Sequence, residues 1–341
     1  MSSAPCNHPS RPELIAWEIA DEQVDMHATT RADESEIIEA IAGFGHGQQV
    51  VLTGADVLES ESLRSTIIEA DQVGLACALA PSDPRTFDRT TLRALVAAGL
   101  DAIVLTLDGP DRSSHDAIHG GQGRFDATIR LARWATELGL PIWIRTNVDQ
   151  LTESRIEHIA ARVLALGAVR WSLSFTVPSE EGIGHESIRP QDAEELLGWF
   201  AGLDTSTTLD VSIVQAPMYQ RIVSSTTSTG NSIDPAASLV GGDNLLYIGS
   251  DGSISPSGSL DITLGRIPRD DLYELYQSNP LLQSIRDRSN RRGKCGVCEY
   301  SEICGGSRTR AYVHFNDPLE QDPLCPFIPA MIRGEPRDGR G

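Results

Sequence analysis

Four cysteines lie close together near the C-terminus of this chain, at a spacing typical of a metal centre. Cys295 and Cys298 form a C-x2-C pair, Cys304 follows after five residues, and Cys325 comes after a further 20. A C-x2-C pair places two sulfurs on one tight turn, from which both can reach the same centre. Four thiolates suit an iron–sulfur cluster or an all-cysteine zinc site. We expect these four side chains to hold one [4Fe–4S] cluster, with zinc as the alternative.

The residues that follow Cys304 are also suited to a cluster. Gly305 and Gly306 let the backbone pass close to it and offer N–H groups to its sulfides. Arg308 and Arg310 could offset the negative charge of a thiolate-bound cluster or face an anionic substrate. The alternative for both arginines is ordinary surface pairing with acidic neighbours, namely Glu299, Glu302 or Asp322.

The overall composition excludes several classes of function. The chain has 341 residues, with 48 acidic against 28 basic side chains and a net charge of -20. This balance argues against nucleic-acid binding and indicates a solvated acidic surface, or attraction to a basic partner. No apolar run reaches membrane-spanning length, and no basic segment followed by an apolar one marks a secretory signal. We therefore expect a cytoplasmic protein, in which reducing conditions favour metal binding over disulfides.

Short apolar runs alternate with amphipathic helical stretches through the first two thirds of the chain. The predicted strands are Leu14–Ile19, Gln49–Leu52, Leu75–Leu79, Ala102–Leu107, Ile142–Asn147, Val169–Phe175 and Leu209–Val214. The predicted helices between them are Glu34–Phe44, Glu61–Asp71, Thr91–Ala98, Phe125–Leu138, Ser154–Leu166 and Pro190–Leu203. This alternation predicts parallel βαβ units in an α/β fold. Six or seven units favour an open or closed β/α barrel over a doubly wound sheet.

The pattern changes after residue 216. The Ser/Thr/Gly-rich stretch Ser224–Asn231 predicts a mobile loop, and Asn244–Gly258 predicts a hairpin that turns at Asp251–Gly252. Two short helices are predicted before the cysteines, over Asp270–Gln277 and Pro280–Arg288.

The cysteine segment resembles a known domain. The stretch G-K-C-G-V-C-E-Y-S-E-I-C-G-G-S-R-T-R-A-Y…D-P-L-C is similar to the C-terminal auxiliary-cluster domain, of SPASM or twitch type, of radical S-adenosylmethionine enzymes. The branch it resembles most contains the heme synthase of the siroheme-dependent pathway. R-P-E-L-I-A-W-E-I, L-T-L-D-G-P-D and I-W-I-R-T-N-V resemble barrel strands of the same family. Ser255 and Ser257 stand where a fuller SPASM domain has extra cysteines, so the resemblance implies a single auxiliary cluster.

The resemblance also implies an architecture, a partial (β/α)6 TIM-like barrel with a C-terminal iron–sulfur extension. The implied divisions are a flexible N-terminus (1–12), a degenerate barrel (13–215), a linker (216–243), the auxiliary cluster domain (244–330) and a disordered tail (331–341).

One hallmark of the family is missing. In radical S-adenosylmethionine enzymes the first strand leads into C-x3-C-x2-C, which holds the catalytic cluster that chelates the cofactor. Here W-E-I and R-A-D keep the register, and it places Gln23, His27 and Thr30 at the three cysteine positions. An amide, an imidazole and a hydroxyl cannot hold a low-potential cubane. We therefore do not expect S-adenosylmethionine to be a cofactor.

A second element of that pocket is altered as well. The family has G-G-E-P or G-G-D-P after the next strand, whereas this chain has T-G-A-D-V over 53–57. The spare thiols are Cys6, near an unanchored terminus beside His8, and Cys77, within an apolar strand. We interpret Cys77 as a small buried hydrophobic residue and Cys6 as a loose thiol.

Three histidines and one aspartate are weaker candidates. His27 could ligate another metal or act as a base, but a solvated loop histidine is the favoured explanation. His115 and His119 share a helix face at metal-ligand spacing, but no acidic or third histidine partner is evident, which favours a polar role at the helix end. Asp108–Gly109 ends a strand, where barrel enzymes place functional groups, but D-G is also an ordinary turn.

Three hypotheses for function follow. The first is a pseudoenzyme that keeps the barrel and one auxiliary cluster and serves as a partner of an active enzyme or as a substrate- or peptide-binding subunit. The second is a cluster protein for electron transfer. The third is an enzyme with repurposed, non-radical chemistry in the vacated pocket. Nucleic acids and membranes are not expected partners.

Overall fold

The computed structural model describes residues 10–19, 32–54, 57–58, 60, 62–177, 187–202, 209–226, 238–260 and 262–334. Eleven strands form one sheet in these ranges. They are β1 Leu14–Glu18, β2 Gln49–Thr53, β3 Ala76–Leu79, β4 Ala102–Thr106, β5 Ile142–Val148, β6 Arg170–Phe175, β7 Asp210–Val214, β8 Ser238–Leu239, β9 Leu245–Ile248, β10 Ser253–Ser255 and β11 Gly265–Arg266. All seven predicted strands are confirmed, each end lying within one residue of its predicted bound.

Helices connect the strands and cover one face of the sheet. They are α1 Glu34–Ala42, α2 Leu63–Gln72, α3 Arg89–Ala97, α4 Arg112–Ile118, α5 Arg124–Glu137, α6 Ile156–Ala165, α7 Pro190–Ala201, α8 Met218–Thr226, α9 Leu272–Ser278, α10 Pro280–Arg286, α11 Gly293–Gly296, α12 Arg308–Phe315 and α13 Ala330–Arg333. None of the helices in the described ranges is both long and apolar enough to cross a bilayer.

The strand order explains how the two parts of the chain join. Strands β1 to β8 are parallel and follow one another in chain order, as expected for successive βαβ units. Strand β9 pairs in parallel with the free edge of β1, and β10 and β11 continue the sheet in antiparallel fashion. The C-terminal part therefore shares the barrel's sheet and extends it beyond β1.

The sheet curls into a partial barrel. The guanidinium of Arg170 on β6 donates a 2.8 Å hydrogen bond to the side-chain oxygen of Gln49 on β2. In a flat sheet these strands would lie four steps, about 19 Å, apart. Arg170 also stacks over Trp143 of β5, 4.3 Å from its ring centroid. These three side chains close the floor of the barrel, which leaves the carboxyl ends of the strands as its open mouth.

Strand alternation places the large apolar residues under the helices. Trp17 and Trp171 are each 1% exposed, and the Trp171 ring packs edge-on against Phe200 of α7. The indole N–H of Trp171 donates to the Thr146 hydroxyl at 3.0 Å, so the one polar atom of the ring is satisfied. Cys77 on β3 is buried as expected, and burial raises the pKa of its thiol to about 12.

The predictions for residues 216–341 are partly confirmed and partly wrong. The hairpin is confirmed as β9 and β10, and the two short helices are confirmed as α9 and α10. The predicted linker, 216–243, instead contributes α8 and strand β8 to the barrel edge. Helix α8 runs into the predicted loop as far as Thr226, and α13 occupies the start of the predicted tail. The rest of that loop, 227–231, and residues 335–341 lie outside the described residues.

Candidate metal centre

The four C-terminal cysteines line one cavity of about 20 Å³. Cys295 lies on the short helix α11 and Cys298 just after it, while Cys304 ends the following turn and Cys325 comes from the loop beyond α12. None of the four forms a disulfide. In the part of the chain that the structure describes, no group of three or more His, Cys, Asp or Glu side chains is arranged around a single ion. The thiols instead surround an open volume.

Burial favours the protonated form of three of these thiols, those of Cys298, Cys304 and Cys325. Desolvation raises the pKa of Cys325 to about 11, and it also raises the pKa of Cys298 and, most strongly, of Cys304. Neutral thiols are poor ligands, so a metal must displace their protons when it binds. Loading of the site is therefore expected to release protons.

The backbone beside the cavity is shaped for close approach. Gly305 and Gly306 have φ values of 64° and 69°, in the left-handed region that glycine adopts without strain. A Cβ atom on Gly306 would lie 3.2 Å from the sulfur of Cys295. The backbone N–H of Asp322 donates to that same sulfur at 3.4 Å. Such N–H···S contacts are typical of the protein shell around iron–sulfur clusters.

Hydrogen bonds from Arg310, which is also one member of a buried ion pair, join the cysteine segment to the mouth of the barrel. Arg310 donates to Asp322 at 3.3 Å and to the carbonyls of Phe175, the last residue of β6, and Gln215, just after β7. The hydroxyl of Ser307 donates to the Gln215 side chain at 2.9 Å. The predicted alternative for Arg310, pairing with an acidic neighbour, is confirmed for Asp322, but the surface location is wrong, because Arg310 is 3% exposed. The cavity thus has a fixed position against the barrel.

The side chains and backbone groups that line this cavity are of the kinds that bind a four-thiolate cluster. The cavity offers four sulfurs, a glycine corner and N–H donors, and its remaining walls include Tyr300, Phe327 and the Arg221 side chain from α8. Several guanidinium nitrogens near it are buried without a hydrogen-bond partner. These are the features that an anionic group at the centre of the cavity would use.

Only part of the pocket where the family binds S-adenosylmethionine lies within the described residues. Gln23, His27 and Thr30, which replace the family's cysteines, and also Cys6, lie outside the described residues. Of the T-G-A-D-V segment, Thr53 ends β2, and a Cβ on Gly54 would lie 2.7 Å from the carbonyl oxygen of Ile19. The remaining glycine of this segment therefore serves close packing against the end of β1.

A second, polar cavity of about 260 Å³ opens at the carboxyl ends of β3, β4 and β5. His115 and His119 line it, with Thr106, Arg124, Arg145 and Asn147. Asp108 lies beside it and accepts hydrogen bonds from the backbone N–H and the side-chain amide of Asn147, at 2.7 and 2.9 Å. His119 Nε2 is 3.2 Å from the Asp108 carboxylate, although it is not aligned for a hydrogen bond.

This cavity corrects our interpretation of the histidines. The acidic neighbour that the sequence did not reveal is Asp108, and His115 is a buried side chain rather than a polar group at a helix end. Sequence reasoning also missed Arg145 and Arg124. Desolvation within the cavity lowers the pKa of Arg145, although part of its side chain is exposed to solvent. The available signal was the position of Thr106 and Asp108 at the carboxyl end of β4, with Arg145 on the neighbouring strand opposite Thr106.

Buried His115 predicts a loss of stability in acid. Desolvation, and next the neighbouring His119, lower the pKa of His115 from 6.5 to about 4, so the folded state binds its proton less well than the unfolded state. The contribution of neutral His115 to the free energy of unfolding is complete above pH 6.5 and is lost as the pH falls toward 4. At pH 5 the free energy of unfolding should be lower by about 2 kcal/mol. Urea unfolding at pH 7.5 and 5 should show this loss in the wild type.

A His115→Asn variant is the matched control, because its amide oxygen can replace Nδ1 as the acceptor of the Asp108 N–H, a 3.2 Å bond in the wild type. The variant should lose less stability between the two pH values. Equal losses in the two proteins would contradict the assignment to His115.

The comparisons with known proteins agree with this architecture. No family model matches the chain. It is 28% identical over 294 residues to the AdoMet-dependent heme synthase of Nitratidesulfovibrio vulgaris, covering 83% of this chain and 80% of that protein. Against the AdoMet-dependent heme synthase of Methanosarcina barkeri it is 25% identical over 341 residues, covering 93% and 97%. The structure is similar to Streptococcus suis SuiB, with a TM-score of 0.70 at 16% identity over 94% of this chain and 79% of SuiB.

The fold is therefore the α/β partial TIM-like barrel of radical S-adenosylmethionine proteins, and the expected fold class is confirmed. In sequence the chain is similar to AdoMet-dependent heme synthases over most of its length.

Proposed function

We propose that this chain is a radical S-adenosylmethionine/SPASM-like iron–sulfur protein that binds one auxiliary [4Fe–4S] cluster through Cys295, Cys298, Cys304 and Cys325. The observation that supports this most directly is that four thiols, distant in sequence by up to 30 residues, line a single cavity. When bound, such a cluster supplies one-electron redox capacity or local cross-linking. Zinc in the same four-thiolate site is the alternative.

We also propose that the catalytic cluster has been lost and that the chain is a pseudoenzyme. The support is in the sequence, where Gln23, His27 and Thr30 stand at the cysteine positions. A substitute set of thiolates is hard to assemble, because Cys77 faces away from the barrel interior in a buried strand. One imidazole and one loose thiol do not make a cubane site.

A pseudoenzyme of this kind would act as a partner of an active enzyme or as a subunit that binds a substrate. SuiB has been solved with its precursor peptide SuiA, which makes a peptide a reasonable substrate class to test here. The open mouth of the barrel, beside the cysteine cavity, is where such a substrate would lie.

The test is metal analysis of the protein purified without oxygen. The wild type should hold about four irons and four sulfides per chain, and a Cys295→Ala/Cys298→Ala variant should lose them. With S-adenosylmethionine and dithionite, neither protein should form 5′-deoxyadenosine. About eight irons, with about four retained by the variant, would show a second cluster and refute the pseudoenzyme assignment. Zinc without sulfide would instead make the site structural.

A second candidate function is non-radical chemistry in the barrel, and the polar cavity beside Asp108, His119 and Arg145 favours it. A small molecule that copurifies with the wild type, seen as a chromophore or by mass spectrometry, would support this candidate. An Arg145→Ala variant should then lose that molecule while it keeps its iron. Electron transfer, the remaining alternative, requires reversible reduction of the cluster.

A further inference from the structure

Two buried guanidinium groups lie beside the cysteine cavity without a carboxylate of their own. Arg308 is 0% exposed and Arg291 is 5% exposed, and neither forms an ion pair with any residue that the structure describes. The other arginines around the cavity each have an acidic partner, in the pairs Arg221–Glu194, Arg288–Asp243 and Arg310–Asp322. Burying a charge without a counter-charge is costly, so these two arginines require an explanation.

Both side chains are held rigidly by backbone carbonyls. Arg308 Nε donates to Gly306 at 3.0 Å, and its Nη1 donates to Pro318 at 2.8 Å and to Glu320 at 2.7 Å. Arg291 Nε donates to Gly305 at 3.2 Å, and its Nη2 donates to the carbonyl of Ile285. One nitrogen of each group, Arg308 Nη2 and Arg291 Nη1, is buried without any hydrogen-bond partner.

The free nitrogen of Arg308 faces the cysteine ligands. A Cβ placed on Gly306 would lie 2.5 Å from Arg308 Nη2 and 3.2 Å from the sulfur of Cys295, so both atoms adjoin the same face of this glycine. Burial lowers the pKa of Arg308, and negative charge on Cys295, followed by Asp322, opposes that decrease. Burial also lowers the pKa of Arg291, and there Asp243, followed by Cys295, opposes the decrease. The cysteine site is therefore close enough to act electrostatically on both arginines, in addition to these carboxylates.

We propose that Arg291 and Arg308 are the counter-charges of the four-thiolate cluster and raise its reduction potential. This proposal rests on the proposed function. Four thiolates around a [4Fe–4S]²⁺ core leave two net negative charges, which two unpaired guanidinium groups balance. Lys294 also lines the cavity, but it is partly exposed and water screens its charge.

The physical effect follows from the sign of the charges. Reduction by one electron adds a further negative charge to the cluster, and a fixed positive charge in a poorly polarisable interior stabilises that reduced form. Removal of one guanidinium charge should therefore make the midpoint potential more negative. Removal of both should shift it further in the same direction.

The experiment compares Arg308→Gln, Arg291→Gln, the double variant and Arg292→Gln, each purified without oxygen. Arg292 is the matched control, because it adjoins Arg291 in sequence but is 59% exposed and pairs with Asp317. Midpoint potentials are measured by titration with dithionite, followed by electron paramagnetic resonance of the reduced cluster. The two single variants and the double variant should shift to more negative potentials, and the control should match the wild type. Full iron content with unchanged potentials would overturn the proposal.

If Arg308→Gln binds no iron, its midpoint potential cannot be measured, and an Arg308→Lys variant then tests the role of the charge. Lysine keeps the charge but cannot hold the Gly306, Pro318 and Glu320 carbonyls together as the guanidinium does. If charge is what matters, the lysine variant keeps most of its iron. If both variants lose it equally, Arg308 is a structural clamp and the proposal is wrong.

Failure of the proposed function is a separate outcome. Wild-type protein with zinc and no sulfide refutes the cluster and the effect on potential together. A zinc site with four thiolates carries the same two negative charges, so the counter-charge role is then measured as zinc affinity in a chelator competition. Arg308→Gln should bind zinc at least tenfold more weakly than Arg292→Gln, by about 1.4 kcal/mol. Equal zinc affinities of the two variants would overturn the counter-charge role of Arg308.

Discussion

If the chain binds the proposed cluster, a Gly306→Ala variant is expected to bind much less iron and sulfide than the wild type. The new Cβ would lie 2.5 Å from Arg308 Nη2, 2.9 Å from Asp322 Cβ and 3.2 Å from the sulfur of Cys295. None of these neighbours can move easily, because three carbonyls hold Arg308 and a buried ion pair holds Asp322. The collision therefore displaces a ligand sulfur. Iron and sulfide analysis of protein purified without oxygen measures the effect.

The same substitution also strains the backbone, and a second glycine separates the two effects. Gly306 has a φ of +69°, which costs about 1 kcal/mol for alanine. Gly167, after α6, has a φ of +67°, and a Cβ added there would have no neighbouring atom within 4 Å. A Gly167→Ala variant should therefore show the strain as a lower urea midpoint but keep its full iron content. Equal iron in the two variants would show that crowding at Gly306 does not matter.

The second large effect is expected when Asp322 is replaced by alanine. The carboxylate accepts from Ser307 N–H at 2.8 Å and from Leu324 N–H at 3.0 Å, and it is the counter-charge of Arg310. Asp322 is 0% exposed and Arg310 3% exposed, so its loss leaves a guanidinium buried without a carboxylate. Such changes cost about 3–5 kcal/mol. The free energy of unfolding, measured in urea, should fall by that amount.

An exposed pair provides the comparison for Asp322. Asp317 pairs with Arg292 at the surface, where the side chains are 25% and 59% exposed. Removing Asp317 should lower the free energy of unfolding by no more than about 1 kcal/mol. Water already screens the exposed pair and can solvate Arg292 once its partner is gone. If Asp322→Ala destabilises the chain no more than Asp317→Ala does, the buried Arg310–Asp322 pair contributes no more stability than an exposed pair.

The strand predictions succeeded because they depend on short-range pattern. A parallel strand buried under helices is a continuous apolar run, and its length is visible from the turn residues around it. The ends of β1 to β7 could be predicted to within a residue for this reason. The C-x2-C spacing similarly brings two sulfurs together without help from the rest of the fold.

Other features depend on contacts between distant segments and could not be predicted. Strand β8 has two residues, and its place in the sheet depends on pairing with β7 rather than on its own composition. His115 lies near Asp108 because α4 folds back on the end of β4. The buried state of Arg308 depends on carbonyls of a loop ten or more residues later.

The sequence by itself determined the βα alternation, the four thiols and the absence of cysteines after the first strand, since residue type and spacing carry each of these. Only the tertiary structure decided that the thiols line one cavity against the ends of β6 and β7, and which arginines near it have acidic partners. Whether a buried charge is paired depends on a few ångströms between segments far apart in the chain. Such distances cannot be predicted from residue types and spacing within a short stretch of sequence.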